Sequence, residues 1–191
     1  FRTQLRAILR ASAFGHIRIM FPMIISLEEL WEAKQLTEEC KKELEQEKIP
    51  FDKEIQMGMM METPASVLLA EEFAQEADFF SIGTNDLTQY LLAVDRGNKK
   101  IASMYDSFHP AVLRAISHII DAGHKYDIPV GMCGEFASDS KATGILLGMG
   151  LDEFSMSSSQ TAKIKYQIRN MNYEEEKKNA QAVLGIHTVK K

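Results

Sequence analysis

The chain has 191 residues, 45% hydrophobic and 26% charged, with a formal net charge of −5. That length buries a substantial core in one domain, and the acidic balance excludes a nucleic-acid surface, which needs clustered Lys and Arg. No apolar run reaches the roughly 18–20 residues of a bilayer span, no signal-peptide pattern opens the chain, and Cys40 and Cys133 stand in no metal-ligand spacing, so a cytoplasmic protein without zinc or disulfides is expected.

Residues 2–10 read as a helix carrying Arg2, Arg6 and Arg10. The first short apolar run follows at 17–23 (IRIMFPM), and further runs lie at 55–61 (IQMGMMM), 79–83 (FFSIG), 129–132 (PVGM) and 152–156 (DEFSM). Each is apolar on both sides, the pattern of parallel strands covered on both faces. Met57, Met59, Met60 and Met61 read together as core filling of the second strand.

Helix signals occupy the gaps. Ser26 and Glu29 form a capping-box pattern opening a helix toward Lys48. Thr63-Pro64 places a cap before Pro at the first helical position, predicting a helix through Glu76. A helical stretch covers 87–94. After His109-Pro110, the residues Val112, Leu113, Ile116, Ile119 and Ile120 trace one apolar helix face. Asp139 opens a helix ending near Gly148, and 159–170 and 174–184 are the last two.

Run starts recur roughly every 34 residues, close to the roughly 31 of a (β/α)8 TIM-type barrel of about 250 residues. The period fits that barrel and the length does not, so the chain reads as a truncated α/β barrel of about five strands. A doubly wound open sheet is the alternative, weakened because no G-x-G-x-x-G turn follows any run.

Barrel active sites lie at the C-terminal strand ends. The residues there are Pro22 and Met23, Glu62, Asn85 and Asp86, Cys133 with Glu135, and Ser155 with Ser157. Glu62 and Asp86, on neighbouring strands, can share a hard cation such as Mg2+, which is held by one or two carboxylates plus substrate oxygens. They can equally be helix-start carboxylates favoured by the dipole. Arg96 is suited to a carboxylate or phosphate, or is a surface arginine. Cys133 lies between glycines in GMCGE and reads by itself as a buried, inert thiol. The five histidines form no metal spacing and no Ser/His/Asp arrangement.

The stretch DFFSIGTNDLTQYLLAVDR, residues 78–96, closely resembles the signature of phosphoenolpyruvate-utilising enzymes. The wording is most similar to the enzyme I family of the bacterial sugar phosphotransferase system, with further matches in RTQLRAILRASAFGHIRIMFPMI, GMMMETPAS, GMCGEFASD and LLGMGLDEFSMS. The resemblance implies Mg2+ ligation by Glu62 and Asp86, phosphoenolpyruvate contacts from Asn85 and Arg96, and proton delivery to C3 by Cys133, giving pyruvate. It also implies transfer of the phosphoryl group to a histidine on a separate domain and onward to HPr, with homodimerisation through the barrel.

On the same resemblance the chain corresponds to the C-terminal portion of the phosphoenolpyruvate-binding barrel. The phosphohistidine domain, the HPr-binding domain and the barrel segments that supply two further arginines are not in it. With Phe1 in place of an initiating Met, it is expected to be a piece that is inactive alone. The alternatives are the barrel of pyruvate phosphate dikinase or phosphoenolpyruvate synthase, a non-catalytic dimerisation or ligand-sensing module, and, least well matched, a metal-dependent lyase or aldolase.

Overall fold

A computed structural model describes residues 1–189. The leading helix α1 (Arg2–Ser12) runs into strand β1 (Arg18–Phe21), and the long helix α2 (Leu27–Gln46) leads to β2 (Gln56–Met61). Two short helices, α3 (Pro64–Leu68) and α4 (Ala70–Ala74), precede β3 (Phe80–Gly83), which passes directly into α5 (Thr84–Leu92). Helix α6 (Pro110–Lys125) leads to β4 (Val130–Cys133), then α7 (Thr143–Gly148), β5 (Glu153–Phe154), α8 (Ser158–Arg169) and α9 (Tyr173–Leu184).

The five strands form one sheet in the order β1-β2-β3-β4-β5, every pair parallel. A doubly wound sheet reverses its strand order at a switch point, whereas a barrel adds each strand beside the last. The unbroken order is that of a barrel segment.

The outer face of the sheet holds the core. Ile19, Phe21, Met57, Met59, Met61, Phe80, Ile82, Val130 and Met132 are buried, most of them fully, against the surrounding helices. Alternation along each strand turns the intervening residues inward, and the register aligns Met60 with Ser81 and Gly83 with Cys133 on that inner side. Here the expected burial on both faces fails: β1 alternates exposed and buried, with Arg18 and Met20 open. Five strands curl around the inner face without closing over it, leaving a hollow of about 310 Å3 lined by Arg18, Met20, Ser81, Gly131, Cys133 and Glu153.

The helix starts largely follow the sequence. Thr63 and Ser66 form a reciprocal capping box ahead of Pro64, and His109 Nδ1 accepts from the Ala111 N–H. Ser26 Oγ accepts from the Glu29 N–H as predicted, but the Glu29 carboxylate takes the Ile25 N–H instead of that of Ser26.

Two elements differ. The helix predicted over 63–76 is interrupted at Leu69, whose backbone leaves the helical region at φ −106° and ψ 25°, while buried Ser66, Ala70 and Phe73 keep one face across the break. Asp139 does not open a helix. Its carboxylate accepts from the Lys141 N–H and its carbonyl from Ala142 and Thr143, a local turn that delays α7 to Thr143. No described helix is long and apolar enough to cross a membrane.

Candidate active site at the C-terminal rim

Along β2 the inward series Gly58, Met60 ends at Glu62, the first residue past the strand. Glu62 is only 5% exposed, and its Oε1 accepts the Met23 N–H at 2.8 Å. Met23 reaches that position through a left-handed backbone, φ 57°, a conformation that a non-glycine residue adopts at a cost. Burial pushes the Glu62 carboxyl above its ordinary value; the Met23 N–H opposes this and the Asp86 charge reinforces it.

Gly83 makes room for that carboxylate. A Cβ at this position would stand 2.6 Å from Glu62 Oε2 and 3.0 Å from both Met60 Cγ and Sδ. Neighbouring side chains from β2 therefore cross the end of β3 through a gap that only glycine leaves.

Because α5 begins immediately after Gly83, Asn85 and Asp86 lie in its first turn. The helix-start reading of Asp86 therefore holds geometrically, and from that turn the Asp86 charge bears on both Glu62 and Cys133. Asn85 Oδ1 accepts the Glu135 N–H at 3.4 Å, while the Asn85 carbonyl accepts from the Tyr105 hydroxyl. Arg96 follows α5 and directs Nη2 to within 3.7 Å of Asp86 Oδ1, both side chains partly open to solvent.

Cys133 ends β4. Its carbonyl accepts from Thr84 Oγ1 at 2.9 Å, and the chain then turns through Gly134 at φ 95°, where a Cβ would meet Thr84 Oγ1 at 2.5 Å. The Cys133 Sγ lies 3.6 Å from Met60 Sδ. Burial raises its pKa, the Ser81 hydroxyl lowers it, and Glu62 and Asp86 raise it again, so the thiol is held protonated near neutral pH.

The rim thus gathers Glu62, Asn85, Asp86 and Cys133 from three consecutive strand ends, with Arg96 beside Asp86. Ser155 lines both the inner hollow and a second polar recess containing Asn85, Glu135 and Ser157. Sequence reasoning missed Gly83, Thr84 and Tyr105, which place the others. It also assigned Met60 to the core with Met57, Met59 and Met61; Met60 faces inward and touches the thiol. Period-2 alternation from Glu62 backward carried the signal.

Among the described residues no three His, Cys, Asp or Glu side chains cluster in a metal-binding arrangement. The fit to Mg2+ rests on two carboxylates. Glu62 has one oxygen pinned by Met23 and the other at the Gly83 gap, its carboxyl disfavoured as an anion by burial and by Asp86. A divalent cation relieves that electrostatic cost, and two carboxylates are a usual protein contribution to Mg2+.

Comparison with known proteins gives the family. The profile described as "PEP-utilising enzyme, PEP-binding domain" matches residues 1–173. The phosphoenolpyruvate-protein phosphotransferase of Buchnera aphidicola subsp. Baizongia pistaciae is 56% identical over 95% of the chain, which covers 31% of that protein. That of Haemophilus influenzae is 55% identical over 95% of the chain and is covered to 32%. The chain therefore spans about a third of the length of the curated relatives it matches. A citrate lyase structure from Burkholderia xenovorans superposes with a TM-score of 0.66 over 96% of the chain and 58% of its own, at 18% identity, which speaks for the fold alone. Five consecutive parallel β/α units of a TIM-type barrel, matched by that profile over most of their length, show that the chain belongs to the PEP-binding domain family of PEP-utilising enzymes.

Proposed function

We propose that this chain is the phosphoenolpyruvate- and Mg2+-binding part of a phosphoenolpyruvate-protein phosphotransferase. The observation that carries the reading is the convergence of Glu62, Asp86, Asn85 and Cys133 on one barrel rim, in a chain about half identical to proteins of that name.

Glu62 and Asp86 hold Mg2+, which neutralises charge on the enol phosphate when bound. Asn85, fixed through its own carbonyl by Tyr105, presents its amide to the phosphate, and Arg96 swings from Asp86 to clamp the anionic substrate. The phosphorus–oxygen bond of phosphoenolpyruvate breaks as the phosphoryl group bonds to a histidine nitrogen on another domain. The enolate left behind takes its C3 proton from the Cys133 thiol, giving pyruvate, and water restores the thiol. A thiol kept protonated by burial and by two nearby carboxylates suits a proton donor.

On this reading the phosphohistidine then passes its phosphoryl group to HPr, away from the barrel. The chain alone transfers nothing, because the acceptor histidine belongs to another domain. The open edges at β1 and β5 favour association with further barrel strands or a second barrel.

Calorimetric titration with phosphoenolpyruvate, with and without Mg2+, tests the reading. Binding that needs Mg2+ and falls at least about tenfold in Asp86→Ala supports it, since removing one charged partner costs a few kcal/mol. Binding that ignores both Mg2+ and Asp86 overturns it.

A further inference from the structure

The Gly83 gap does more than admit Glu62. β3 separates β2 from β4, so Met60 and Cys133 are not on hydrogen-bonded neighbouring strands. They meet at 3.6 Å because the β3 residue paired with Cys133 is Gly83, whose missing Cβ would crowd Met60 Sδ at 3.0 Å. The thiol stands where two spaces join, since Cys133 lines both the inner hollow beside Arg18 and Glu153 and the rim recess beside Asn85 and Glu135. A side chain free to rotate there can point its hydrogen into either space. A neutral S–H is a weak donor and a thioether a weak acceptor, so the two form a soft contact that selects one orientation without drawing the proton away.

We propose that Met60 is a positioning residue for the Cys133 thiol: its thioether, reaching across Gly83, accepts the S–H and fixes the orientation from which the proton is delivered. The assignment rests on the reading of Cys133 as the proton donor. The other three methionines of the run are buried on the opposite face and have no part in it.

Native alkylation by iodoacetamide across pH tests the contact without substrate. Cys40 is fully buried, so Cys133 is the thiol that reacts, and Cys133→Ser gives the blank. Met60→Leu keeps the volume and removes the acceptor. The S–H form then loses about one weak hydrogen bond, so alkylation below the pH midpoint rises about fivefold while the rates converge above it. Met60→Ala, which leaves space and no clash, shows the same excess below the midpoint on top of a general acceleration.

Identical profiles for wild type and Met60→Leu overturn the proposal. So does an acceleration in Met60→Leu that is equal at every pH, which marks a steric cover only. Loss of thermal stability with an unchanged profile assigns Met60 to packing and overturns it as well. Phosphoenolpyruvate takes no part in the assay, so failure of the ligand-binding reading and failure of this contact are seen separately.

Discussion

Met59 and Met60 are adjacent in sequence and opposite in environment. Met59 is fully buried on the outer face, one of the side chains that seal the sheet against its helices. Met60 turns inward, half-buried, to a face that includes Ser81, Gly83, Gly131 and Cys133 and, on the flanking strands, Arg18, Met20 and Glu153. One face is built from large apolar groups that fill space, the other mainly from small or polar groups that leave it, with Met20 and Met60 the exceptions. Stability and chemistry are thereby assigned to alternate residues of the same strands, and a substitution should report on one or the other according to its parity.

Met59→Ala gives the largest effect on stability. Removing a fully enclosed methionine leaves a cavity and costs about 2–5 kcal/mol. For a domain of this size that lowers the melting temperature by about 2–4 °C per kcal/mol. Thermal unfolding measures it, and Cys133 alkylation in the folded protein stays as in wild type. A changed thiol profile in Met59→Ala would break the separation of the faces.

Gly83→Ala comes next and tests the crossing point of the inner face. The new Cβ meets Glu62 Oε2 at 2.6 Å and Met60 Sδ at 3.0 Å, so both must move. Such overpacking costs about 1–3 kcal/mol. The displaced carboxylate should lose Mg2+-dependent phosphoenolpyruvate binding altogether, beyond what the stability loss accounts for. Chemical denaturation and calorimetry on the same variant separate the two effects, and unchanged ligand binding would show that the gap is not needed.

The barrel was legible because its evidence is repetitive. Apolar runs, their spacing and the caps at Thr63 and His109 each repeat a local rule, and the structure keeps them. The rim was legible for a related reason: a polar residue just past a strand, as at Glu62 and Asp86, has few places to go in a parallel barrel. Cys133, expected just past the fourth run, is the last residue of β4 itself. What stayed hidden depends on distances between strands. Gly83 looks like any glycine ending a strand until Met60 and Glu62 are seen crossing it. The run of methionines hid its own parity from hydropathy, because apolar residues at consecutive positions erase the alternation that marks a face, and only counting back from Glu62 restores it. Arg96 gave no sign of pairing with Asp86, since nine intervening residues of helix and turn set their approach.

The smallest effect on stability belongs to Ser81→Ala, and its sign makes it informative. Ser81 lies inward on β3 and lines the hollow with Cys133, where its hydroxyl opposes the rise that burial imposes on the thiol. A donor to sulfur stabilises the thiolate, so removing it carries the pKa further up. Alkylation below the midpoint should therefore slow by a few-fold, about one weak hydrogen bond, with the high-pH plateau unmoved. Stability should change by no more than about 0.5 kcal/mol, as for a small substitution that opens no enclosed cavity. Met60→Leu shifts the same curve the opposite way, because it removes an acceptor from the thiol and not a donor to the thiolate. Opposite displacements from two neighbours on adjacent strands cannot come from a general loosening of the sheet, which would move both curves together. A shift of the same sign in both variants would mean that burial alone governs Cys133 and that neither neighbour addresses its sulfur.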